Sequence, residues 1–559
     1  MKKRVGIILD SQSVSKQIKD FIQSSNKSSN YEITTLIINE IDKNKRNLFS
    51  RITSSIIRRG IIKFLSNALF MAICKLEVIF VKRYEKFSKF YEKYQLTEEN
   101  FQVISVNPSI SKNGFIYRYE KFDIELIRNA NLDLLIRAGS GILKGEILNV
   151  CPNGVISFHH ADNDINRGGP PGFWEVYEKN PRTGFIIQRL KEELDGGDVL
   201  YKGFIATRWF YSLNVANLYE IANPFLHHVI EDITSDKPKL SIKNKSPYSF
   251  PLYTAPNIFQ SLFYLLKNSL ILIDKIFNKI TRKFYRWGIA YQFVNNWWDV
   301  TLWRSKKIPN PKHRFLADPF VIKKNGVHYC FVEDYNYKTR KGSISAYKIN
   351  LAGYEDLGIV LEEDFHLSYP FIFEYENQLY MCPDTHEKKE IRIYKCDEFP
   401  HRWSFHKTIM KNISAVDTSI FKYDNKWWLF TNIDQSIVGD HGCQLYIFHS
   451  SNPFTEDWTP HATNPVIFDP LIARNGGLII DNNNIYRVFQ QQGFDRYGKG
   501  LGIAKICTLT STEYDEKIIS KVEARFFPSI IAAHTYNFNN GLLVIDFAEI
   551  TNVNNGRSK

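Results

Sequence analysis

The order of apolar and polar residues differs between the two halves of the chain. In the first half, short apolar runs at residues 5–9, 33–38, 102–106, 132–136 and 154–159 alternate with stretches of helical periodicity, which predicts strands and helices in turn. This order is typical of an α/β domain with a mostly parallel sheet covered on both faces. Active sites of such sheets lie at the carboxyl ends of the strands. The turn after the first run has no G-x-G-x-x-G pattern, so the sequence does not indicate a dinucleotide site.

After about residue 293 the pattern is all-β, because short runs rich in aromatic and β-branched residues recur between Asn, Asp and Gly turns. Five segments of this region align with one another as strand, polar turn and second strand. Their equivalent positions are spaced by 51, 48, 58 and 59 residues and are Asp318, Tyr369, Asp417, Asn475 and His534. That period suits four-stranded blades, so we predict a five-bladed β-propeller. The alternative is an irregular β-sandwich, which does not explain the repeat.

These patterns divide the chain into an α/β domain at residues 1–240, a linker with a basic amphipathic helix at residues 241–293, and the propeller at residues 294–559. The first domain contains a basic amphipathic helical insert at about residues 45–95. Its most apolar part, residues 60–81, includes Lys63, Lys75 and Glu77, so we do not expect it to span a membrane. Two interpretations stay open: a helix that lies on anionic lipid, and a basic helix that packs on its own domain.

Composition narrows the class of protein. Apolar residues make up 44% of the chain and aromatic residues 14%, as in folded globular proteins. The net charge of +13 favours anionic partners such as a phosphorylated sugar, nucleic acid or an acidic membrane face. The seven cysteines form no CxxC pair and no metal-ligand spacing, so we expect a reducing compartment and no metal site. The apolar run at residues 5–9 is too short for a signal peptide core, which predicts a cytoplasmic protein with peripheral contact to the inner face of the membrane.

Candidate chemistry in the first half lies between residues 139 and 200. Strand alternation at residues 154–159 places Ser157 and His159 on one face, so both can point into one cleft. The run RGGPPG that follows predicts a tight, helix-free loop, and Asp195 comes later at a glycine-rich turn. An imidazole, a hydroxyl and a carboxylate together suit acyl transfer to an amine. A histidine beside an aspartate is, however, more often a structural hydrogen bond.

The motifs of this segment closely resemble those of the folate-dependent formyltransferases, whose members formylate initiator methionyl-tRNA, glycinamide ribonucleotide and amino sugars. The family pattern is a strand that ends at a histidine, followed by Arg-Gly, Pro, Trp, Thr-Gly and Leu-Asp-x-Gly-Asp. This sequence matches it, in order, at His159, Arg167, Gly168, Pro171, Trp174, Thr183, Gly184, Leu194, Asp195, Gly197 and Asp198. The gap of 36 residues between His159 and Asp195 also agrees with the family pattern.

The resemblance implies roles for these residues. His159 would be the central catalytic residue, and Asp195 would raise its basicity and accept the proton of the attacking amine. The backbone of three residues would line the pteridine pocket of 10-formyltetrahydrofolate, with Leu194 in the loop that closes the other side. The three are Gly141, Ile142 and Leu143.

Two positions depart from the family pattern. Ser157 stands where the family has a catalytic asparagine, and His160 stands where the family has a smaller residue. A serine hydroxyl can donate to an oxyanion, but the loss of one good donor typically costs on the order of 100- to 1000-fold in rate. Either another donor compensates, or the chemistry has drifted from formyl transfer.

In the predicted propeller, the repeated positions Asp318, Asp417, Asn475 and His534 would face the central channel and bind substrate. The region resembles five-bladed furanosidase-type glycoside hydrolases and related transferases, and also the propeller-like domain found with plant glycosylceramide glycosyltransferases. Glycoside hydrolysis needs two carboxylates. Asp318 and Asp417 qualify, with Glu333 or Asp334 as a third. Because the other two positions are not acidic, we favour a binding module for a glycan or a glycolipid headgroup.

The sequence therefore predicts a formyltransferase that transfers a formyl group from 10-formyltetrahydrofolate to an amine of an amino sugar, in surface polysaccharide or glycolipid biosynthesis. Expected partners are an amino-sugar nucleotide or a lipid-linked sugar and an anionic membrane. Nucleic acid is not expected, because no tRNA-type β-barrel follows residue 200 and a propeller is poorly suited to gripping RNA. The alternative is a glycan-binding, glycosyl-transferring or glycosyl-hydrolysing protein that works through the propeller, with a repurposed formyltransferase-like domain.

Overall fold

A computed structural model describes residues 2–40, 60–97, 101–112, 114–193, 196–235, 248–281 and 283–552. The chain divides into two compact units. Residues 1–270 with 436–438 form the first, and the remaining residues from 271 onward form the second.

The first unit is built on a seven-stranded sheet, with smaller sheets beside it. All strands of the unit, in chain order, are β1 (Lys3–Leu9), β2 (Ser13–Ser15), β3 (Tyr31–Asn39), β4 (Lys93–Gln95), β5 (Gln102–Val106), β6 (Ser109–Ile110), β7 (Ile116–Arg118), β8 (Leu134–Arg137), β9 (Ile142–Lys144), β10 (Val155–His159), β11 (Arg167–Gly168), β12 (Arg182–Arg189), β13 (Asp198–Ala206) and β14 (Leu252–Tyr253). The order in the main sheet is β13-β12-β10-β8-β1-β3-β5. The pairs from β10 through β5 are parallel, whereas β12 and β13 join antiparallel at one edge. The predicted mostly parallel α/β sheet is therefore confirmed.

The helices are α1 (Lys16–Ser25), α2 (Ile61–Val81), α3 (Lys121–Asn129), α4 (Phe173–Tyr177), α5 (Tyr211–Thr234) and α6 (Ile258–Ile280). On one face of the sheet, Ile8 and Leu135 pack in one buried cluster with Ile124 and Ile127 of α3. Helices α1 and α5 contact each other as well as sheet strands. The central strands are buried on both faces, which explains why they appear in the sequence as continuous apolar runs.

The helical insert expected at about residues 45–95 is present as α2, which begins at Ile61 and ends at Val81. Residues 45–59 lie outside the described residues. The buried positions of α2 are Ser66, Phe70, Ile73 and Val81, which form one stripe along the helix.

The second unit consists of antiparallel sheets, and its strands are β15 (Lys283–Phe293), β16 (Lys306–Ile308), β17 (Arg314–Lys324), β18 (Val327–Asn336), β19 (Lys341–Ile349), β20 (Tyr354–Leu361), β21 (Ser368–Tyr375), β22 (Gln378–Asp384), β23 (Glu390–Glu398), β24 (Arg402–Lys411), β25 (Ala415–Tyr423), β26 (Lys426–Ile433), β27 (Gln444–Ser450), β28 (Thr459–Pro460), β29 (Ile467–Phe468), β30 (Asn475–Asp481), β31 (Asn484–Gly493), β32 (Arg496–Leu509), β33 (Tyr514–Glu523), β34 (Ile530–Ala532), β35 (Tyr536–Asn539) and β36 (Leu542–Asn552). They form five sheets of four or five strands: β17–β20, β21–β24, β25–β29, β30–β33, and a fifth that joins β15 and β16 to β34–β36. The first strands contact one another in sequence, β17 with β21, β21 with β25, β25 with β30, β30 with β35, and β35 with β17. The sheets therefore close into a ring, and the predicted five-bladed propeller is confirmed.

The fifth blade joins the beginning of the unit to its end. Every residue of Lys283–Phe293 in β15 pairs with a residue of Leu542–Asn552 in β36. This differs from our assignment of residues 241–293 to a linker and helix, since the last eleven of these residues form a strand of the propeller. The local pattern did not show it because the partner strand lies at the other end of the chain. Residues 241–247 lie outside the described residues.

The first strands of four blades share a β-bulge at the repeated position. The register shifts between Ala317 and Phe320, between Ser368 and Phe371, between Val416 and Ser419, and between Asn475 and Gly477. Asp318, Tyr369 and Asp417 take positive φ angles of 48°, 47° and 53° there. Because bulges re-aim side chains, the repeat found in the sequence marks the bulged position of the first strand in these blades.

Candidate functional site

The site predicted in the first unit is only partly described by the structure. Asp195 and Leu194 lie outside the described residues. His159, at the end of β10, is partly buried, and its Nε2 lies 3.1 Å from the carbonyl oxygen of Asn166. Because a carbonyl only accepts hydrogen bonds, Nε2 carries the proton in this contact. The catalytic roles of His159 and Asp195 stay predictions.

Ser157 lies in a cavity of about 230 Å³ whose lining includes Arg137, His160 and Tyr219 but not His159. Its Oγ donates to the carbonyl of Phe158 at 3.1 Å and accepts from Arg137 Nη1 at 3.3 Å. The hydroxyl proton therefore already has an acceptor within the protein. His159 is not among the residues that line this cavity, and the predicted shared cleft of Ser157 and His159 stays a prediction.

His160, the second departure from the family pattern, fills part of this cavity. Its ring stacks on Tyr219 with 3.7 Å between ring centroids. Burial, together with the charges of His159 and Arg137, lowers the pKa of His160 to about 3. A neutral stacked imidazole is a packing group, so this position does not add a proton donor near neutral pH.

The residues expected to line a folate pocket have partners within the chain. The carbonyl of Gly141 accepts from Arg137 Nε at 2.8 Å, and the amide of Ile142 donates to the carbonyl of Phe115 at 2.7 Å. Leu143 is buried. Binding of 10-formyltetrahydrofolate stays a prediction.

The second unit contains a polar cavity of about 320 Å³ at the bulged ends of the blades, lined by Trp287, Phe315, Asp318, Glu333, His366, Ser368, Asp384, His386, Val416, Asp417, His441, Arg474, Tyr497 and His534. We call it the axial pocket. Three of the four substrate residues predicted in the propeller line it: Asp318, Asp417 and His534. Asn475 does not, because its Nδ2 points into the protein and donates to the carbonyl of Asp417 at 2.9 Å. The preceding residue, Arg474, takes its place in the pocket wall.

Asp318 and His534 belong to one buried hydrogen-bonded group. Nδ1 of His534 lies 2.5 Å from Oδ2 of Asp546 and 3.6 Å from Oδ1 of Asp318, while Thr535 Oγ1 donates to Asp318 at 2.8 Å. Burial lowers the pKa of His534, but the charges of Asp546 and Asp318 outweigh burial and raise it. Burial raises the pKa of Asp318 to about 6, against the opposing charge of His534.

Among the described residues, the ligand atoms of Asp318, His534 and Asp546 lie within 4.8 Å of one another, which is close enough to hold a metal ion. The contacts already present explain this proximity. Oδ1 of Asp546 accepts the amides of His534 and Thr535 at 2.8 and 3.0 Å, and Oδ2 accepts the imidazole. A metal ion would have to displace the proton on Nδ1 of His534, so we interpret the group as an ion pair.

Glu333 is a buried carboxyl group in the pocket wall. Burial, with the nearby charges of Asp318 and Asp384, raises its pKa well above the ordinary value. Nε2 of His366 lies 3.6 Å from Oε1 of Glu333, and Nδ1 of the same ring accepts the amide of Gly342 at 2.9 Å. Glu333 therefore favours the protonated form, which can donate a proton.

The pKa of Asp384 shifts in the opposite direction to that of Glu333. Burial raises its pKa, but His386 outweighs burial through hydrogen bonds and charge, so the net shift is downward. Oδ1 of Asp384 accepts both Nδ1 of His386 at 3.0 Å and the His386 amide at 2.9 Å. Asp384 is therefore an ionised carboxylate in the same cavity as a protonated one, a division that is typical of acid and base pairs.

Asp417 and Arg474 form the charged part of the remaining wall. Nε of Arg474 donates to Oδ2 of Asp417 at 2.6 Å, and Gln490 Nε2 donates to the same oxygen at 3.1 Å. The guanidinium of Arg474 lies 4.8 Å from the ring centroid of Tyr497. Trp287 stacks on His534 with 3.8 Å between ring centroids. Aromatic faces beside hydrogen-bonding carboxylates are groups that suit a sugar ring.

Asp334, the other candidate for a third carboxylate, is a structural residue. It accepts Arg314 Nη1 at 2.8 Å and Ser345 Oγ at 2.7 Å, and the pocket lining does not include it.

Sequence reasoning missed Asp384, and the aligned repeats contain a signal that could have revealed it. In the ladders, Ala317 pairs with Glu333 and Ser368 pairs with Asp384. Both acids therefore stand at the same place in the second strand of their blades. A row of polar residues on the second strands, across the hairpin from the bulged positions, would have identified Asp384. The other pocket residues have no such signal. His366 and His441 lie in loops, His386 begins a short 3-10 helix, and Tyr497 lies near the start of a strand.

Comparison with known proteins gives results for both halves of the chain. The family model described as "Glucosamine inositolphosphorylceramide transferase 1, N-terminal" matches residues 300–529, a range that contains most of the axial pocket. Glucosamine inositolphosphorylceramide transferase 1 of Oryza sativa subsp. japonica is 36% identical over 207 residues, which are 36% of this chain and 27% of that protein. The chain thus matches about a quarter of the length of this relative.

The first half is similar to methionyl-tRNA formyltransferase of Bacillus subtilis, at 26% identity over 218 residues, 37% of this chain and 63% of that protein. Among solved structures, a thermostable family-43 glycoside hydrolase is 17% identical with a TM-score of 0.34 and covers 42% of this chain and 89% of its own. The match to methionyl-tRNA formyltransferase shows that the first half of the chain is formyltransferase-like, as the motifs predict.

The predicted formyl transfer to an amino sugar is wrong. The higher identity is to the glucosamine inositolphosphorylceramide transferases, whereas similarity to formyltransferases is weaker and partial. The departure at Ser157 is consistent with this correction. The comparisons favour the alternative, in which the protein binds, transfers or hydrolyses a glycan through the propeller.

Proposed function

We propose that this protein is a glycosyltransferase-type protein that acts on lipid-linked glycans, with the axial pocket of the propeller as the site that takes the sugar headgroup. One observation supports this most directly. The region similar to the glucosamine inositolphosphorylceramide transferases, residues 300–529, includes Glu333, Asp384, Asp417 and Arg474. The similarity and the acid–base groups therefore coincide.

The pocket supplies the groups that glycosyl transfer needs. The bond between the anomeric carbon and its leaving oxygen breaks while a bond to an acceptor hydroxyl forms. Asp384, held ionised by His386, would take the proton of the acceptor hydroxyl. Glu333, held protonated, would give a proton to the leaving oxygen. Trp287 and Tyr497 would contact the sugar faces, and Arg474 would keep Asp417 in place.

The test uses the full chain, vesicles that contain an inositol-phosphate lipid, and a panel of radiolabelled nucleotide-linked monosaccharides. We expect one sugar to transfer its label to the lipid fraction. Glu333→Gln should lower this rate by on the order of 100-fold, the usual contribution of a general acid. Glu355→Gln is the matched control, because Glu355 is an exposed residue of the outer strand of the same blade. Equal rates for the two variants would contradict the role of Glu333.

A second candidate is headgroup binding without transfer at this pocket. The observation that favours it is that the matching family model describes an N-terminal part, and the match is 27% of the rice protein's length. Saturation-transfer NMR with a soluble glycosylated inositol phosphate separates the two. Binding that Glu333→Gln leaves intact, with no labelled lipid from any donor, would support this second candidate. Absence of binding as well as transfer would overturn both.

A further inference from the structure

Helix α2 exposes an unusual amount of apolar surface for a helix that lies on a folded domain. Ile62 is 72% exposed, Leu76 61% and Met71 59%. The first thirteen residues of α6, 258–270, have the same character, since Phe259 is 82% exposed and Leu266 56%. The full set of exposed large apolar residues in these two segments is Ile61, Ile62, Leu65, Met71, Leu76, Ile79, Phe80, Phe259, Leu262, Phe263, Leu265, Leu266 and Leu270. We call this set the apolar face.

Contacts on the inward side fix the direction of this face. The Glu77 carboxylate of α2 accepts the amide of Ser212 at 2.8 Å and the hydroxyl of Tyr264 of α6. The Tyr264 oxygen in turn accepts the amide of Tyr211 at 2.8 Å. Phe70 of α2 packs edge-on against Phe173 with 5.1 Å between centroids. One buried polar anchor therefore holds both helices on the first unit and leaves their apolar side chains outward.

Within α2 and residues 258–270, the exposed charges are all positive. Glu77 is the only acidic residue in the sequences of α2 and of residues 258–270, and it is engaged in the anchor. Lys63 and Lys75 are exposed on α2, and Lys82 and Arg83 follow directly after it. An apolar stripe with lysines and no exposed acid is the pattern of a helix that lies in the interface of an anionic bilayer.

The same anchor argues against a helix that crosses the membrane. Among the described residues, α2 alone is long and apolar enough to span by length and composition. Spanning would remove Glu77 from Ser212 and Tyr264 and place its carboxyl group in hydrocarbon, which is costly. It would also separate Phe70 from Phe173.

We propose that the apolar face is a membrane-docking surface, and that α2 and residues 258–270 of α6 lie in the interface of an anionic lipid bilayer. The proposal rests on contacts within the first unit and does not depend on the proposed activity of the propeller. It sharpens the interpretation drawn from residues 60–81, because it adds α6 to the surface and gives Glu77 a structural role.

The experiment is co-sedimentation of the full chain, without sugar donor, with vesicles of phosphatidylcholine alone and with added phosphatidylserine. We expect binding to both and tighter binding to the anionic vesicles. Leu65→Gln with Leu266→Gln should lower the partition coefficient by about tenfold or more, since both variants remove exposed apolar surface that the bilayer would bury. Lys63→Gln with Lys75→Gln should weaken binding to anionic vesicles alone. The matched control is Leu351→Gln, because Leu351 is a 75% exposed leucine of the propeller.

Three results would overturn the proposal. The first is sedimentation that the leucine pair does not change. The second is that the vesicle-bound protein resists extraction with alkaline carbonate, which would indicate that α2 spans the bilayer. The third is a lipid-free dimer, measured by light scattering, that the leucine pair dissociates, which would make the face an interface between copies. Sedimentation is measured without donor, and the role of Glu333 is measured as the rate of Glu333→Gln relative to Glu355→Gln, so failure of one proposal can be distinguished from failure of the other.

Discussion

At the scale of single residues, the Asp384–His386 pair gives the axial pocket a defined pH range. The hydrogen bond that His386 donates to the Asp384 carboxylate raises the pKa of His386 above its ordinary value of 6.5. The contribution of His386 to stability is therefore complete below pH 6.5 and is lost as the pH rises through the raised pKa. For Asp384, whose pKa is lowered from 3.8, the contribution is present above that value and is lost as the pH falls through the lowered pKa. The Asp384–His386 pair therefore contributes to stability between the lowered pKa of Asp384 and the raised pKa of His386.

NMR titration of ring-labelled histidine tests this assignment. In the wild-type protein the midpoint of His386 should lie above 6.5, and in Asp384→Asn it should fall back toward that value because the charged partner is gone. His406 is an internal control, since burial lowers its pKa and its other causes, Lys395 and Lys407, are unchanged in the variant. A His386 midpoint that Asp384→Asn does not move would remove Asp384 as the cause.

The candidate site shows which residues a sequence can reveal. Asp318, Asp417 and His534 could be found because the repeat places them at equivalent positions, and the structure brings all three into one cavity. Asn475 fits the same pattern, but its side chain points into the protein. At the bulge of its blade, Arg474 lines the pocket instead. Periodicity identifies a row of positions, whereas the direction of each side chain depends on local backbone geometry.

At the scale of the elements, the bulge row depends on close contacts between neighbouring blades. Gly477 in β30 has a φ angle of 137°, and a Cβ atom there would lie 2.5 Å from the carbonyl oxygen of Tyr536 in β35. We expect Gly477→Ala to destabilise the propeller by about 2 kcal/mol or more, because the conformation is strained and backbone must move. Urea unfolding followed by tryptophan fluorescence measures the change.

The matched control for this change is Gly353→Ala. Gly353 lies between β19 and β20, and a Cβ atom there would meet no atom within 4 Å. Its substitution should change stability by less than about 1 kcal/mol. Equal effects of the two variants would mean that the contact between β30 and β35 does not limit stability.

Elements of the first unit were largely predictable because each strand forms a local apolar run. The runs at 5–9, 33–38, 102–106 and 154–159 correspond to β1, β3, β5 and β10. The repeat favoured a propeller over a β-sandwich, and the closed ring of five sheets confirms the propeller. The strand β15 could not be recognised in the same way, since it follows a helix and its pairing with β36 connects residues from opposite ends of the unit.

At the scale of the whole molecule, a strong motif match in one half did not determine the function of the chain. The spaced match from His159 to Asp198 correctly identifies the formyltransferase-like half, yet Ser157 and His160 change the environment where that chemistry would occur. The lesson is that fold and function separate at the site. The two departures, Ser157 and His160, lie directly beside His159, whereas the motif match around them identifies only the fold.

The boundary between the two halves leads to the last prediction. Four core clusters of the second unit draw only on residues between Ile289 and Phe547, and β15 supplies the strand that closes the fifth blade. A fragment of residues 283–559 should therefore fold by itself, with a cooperative thermal transition and slow amide exchange in β36. A fragment of residues 294–559 lacks only β15, Lys283–Phe293. It should leave β36 as an open edge that lacks eleven paired residues, and so unfold at lower temperature and aggregate. Equal stability and equal protection of β36 in the two fragments would show that ring closure by β15 does not hold the propeller together.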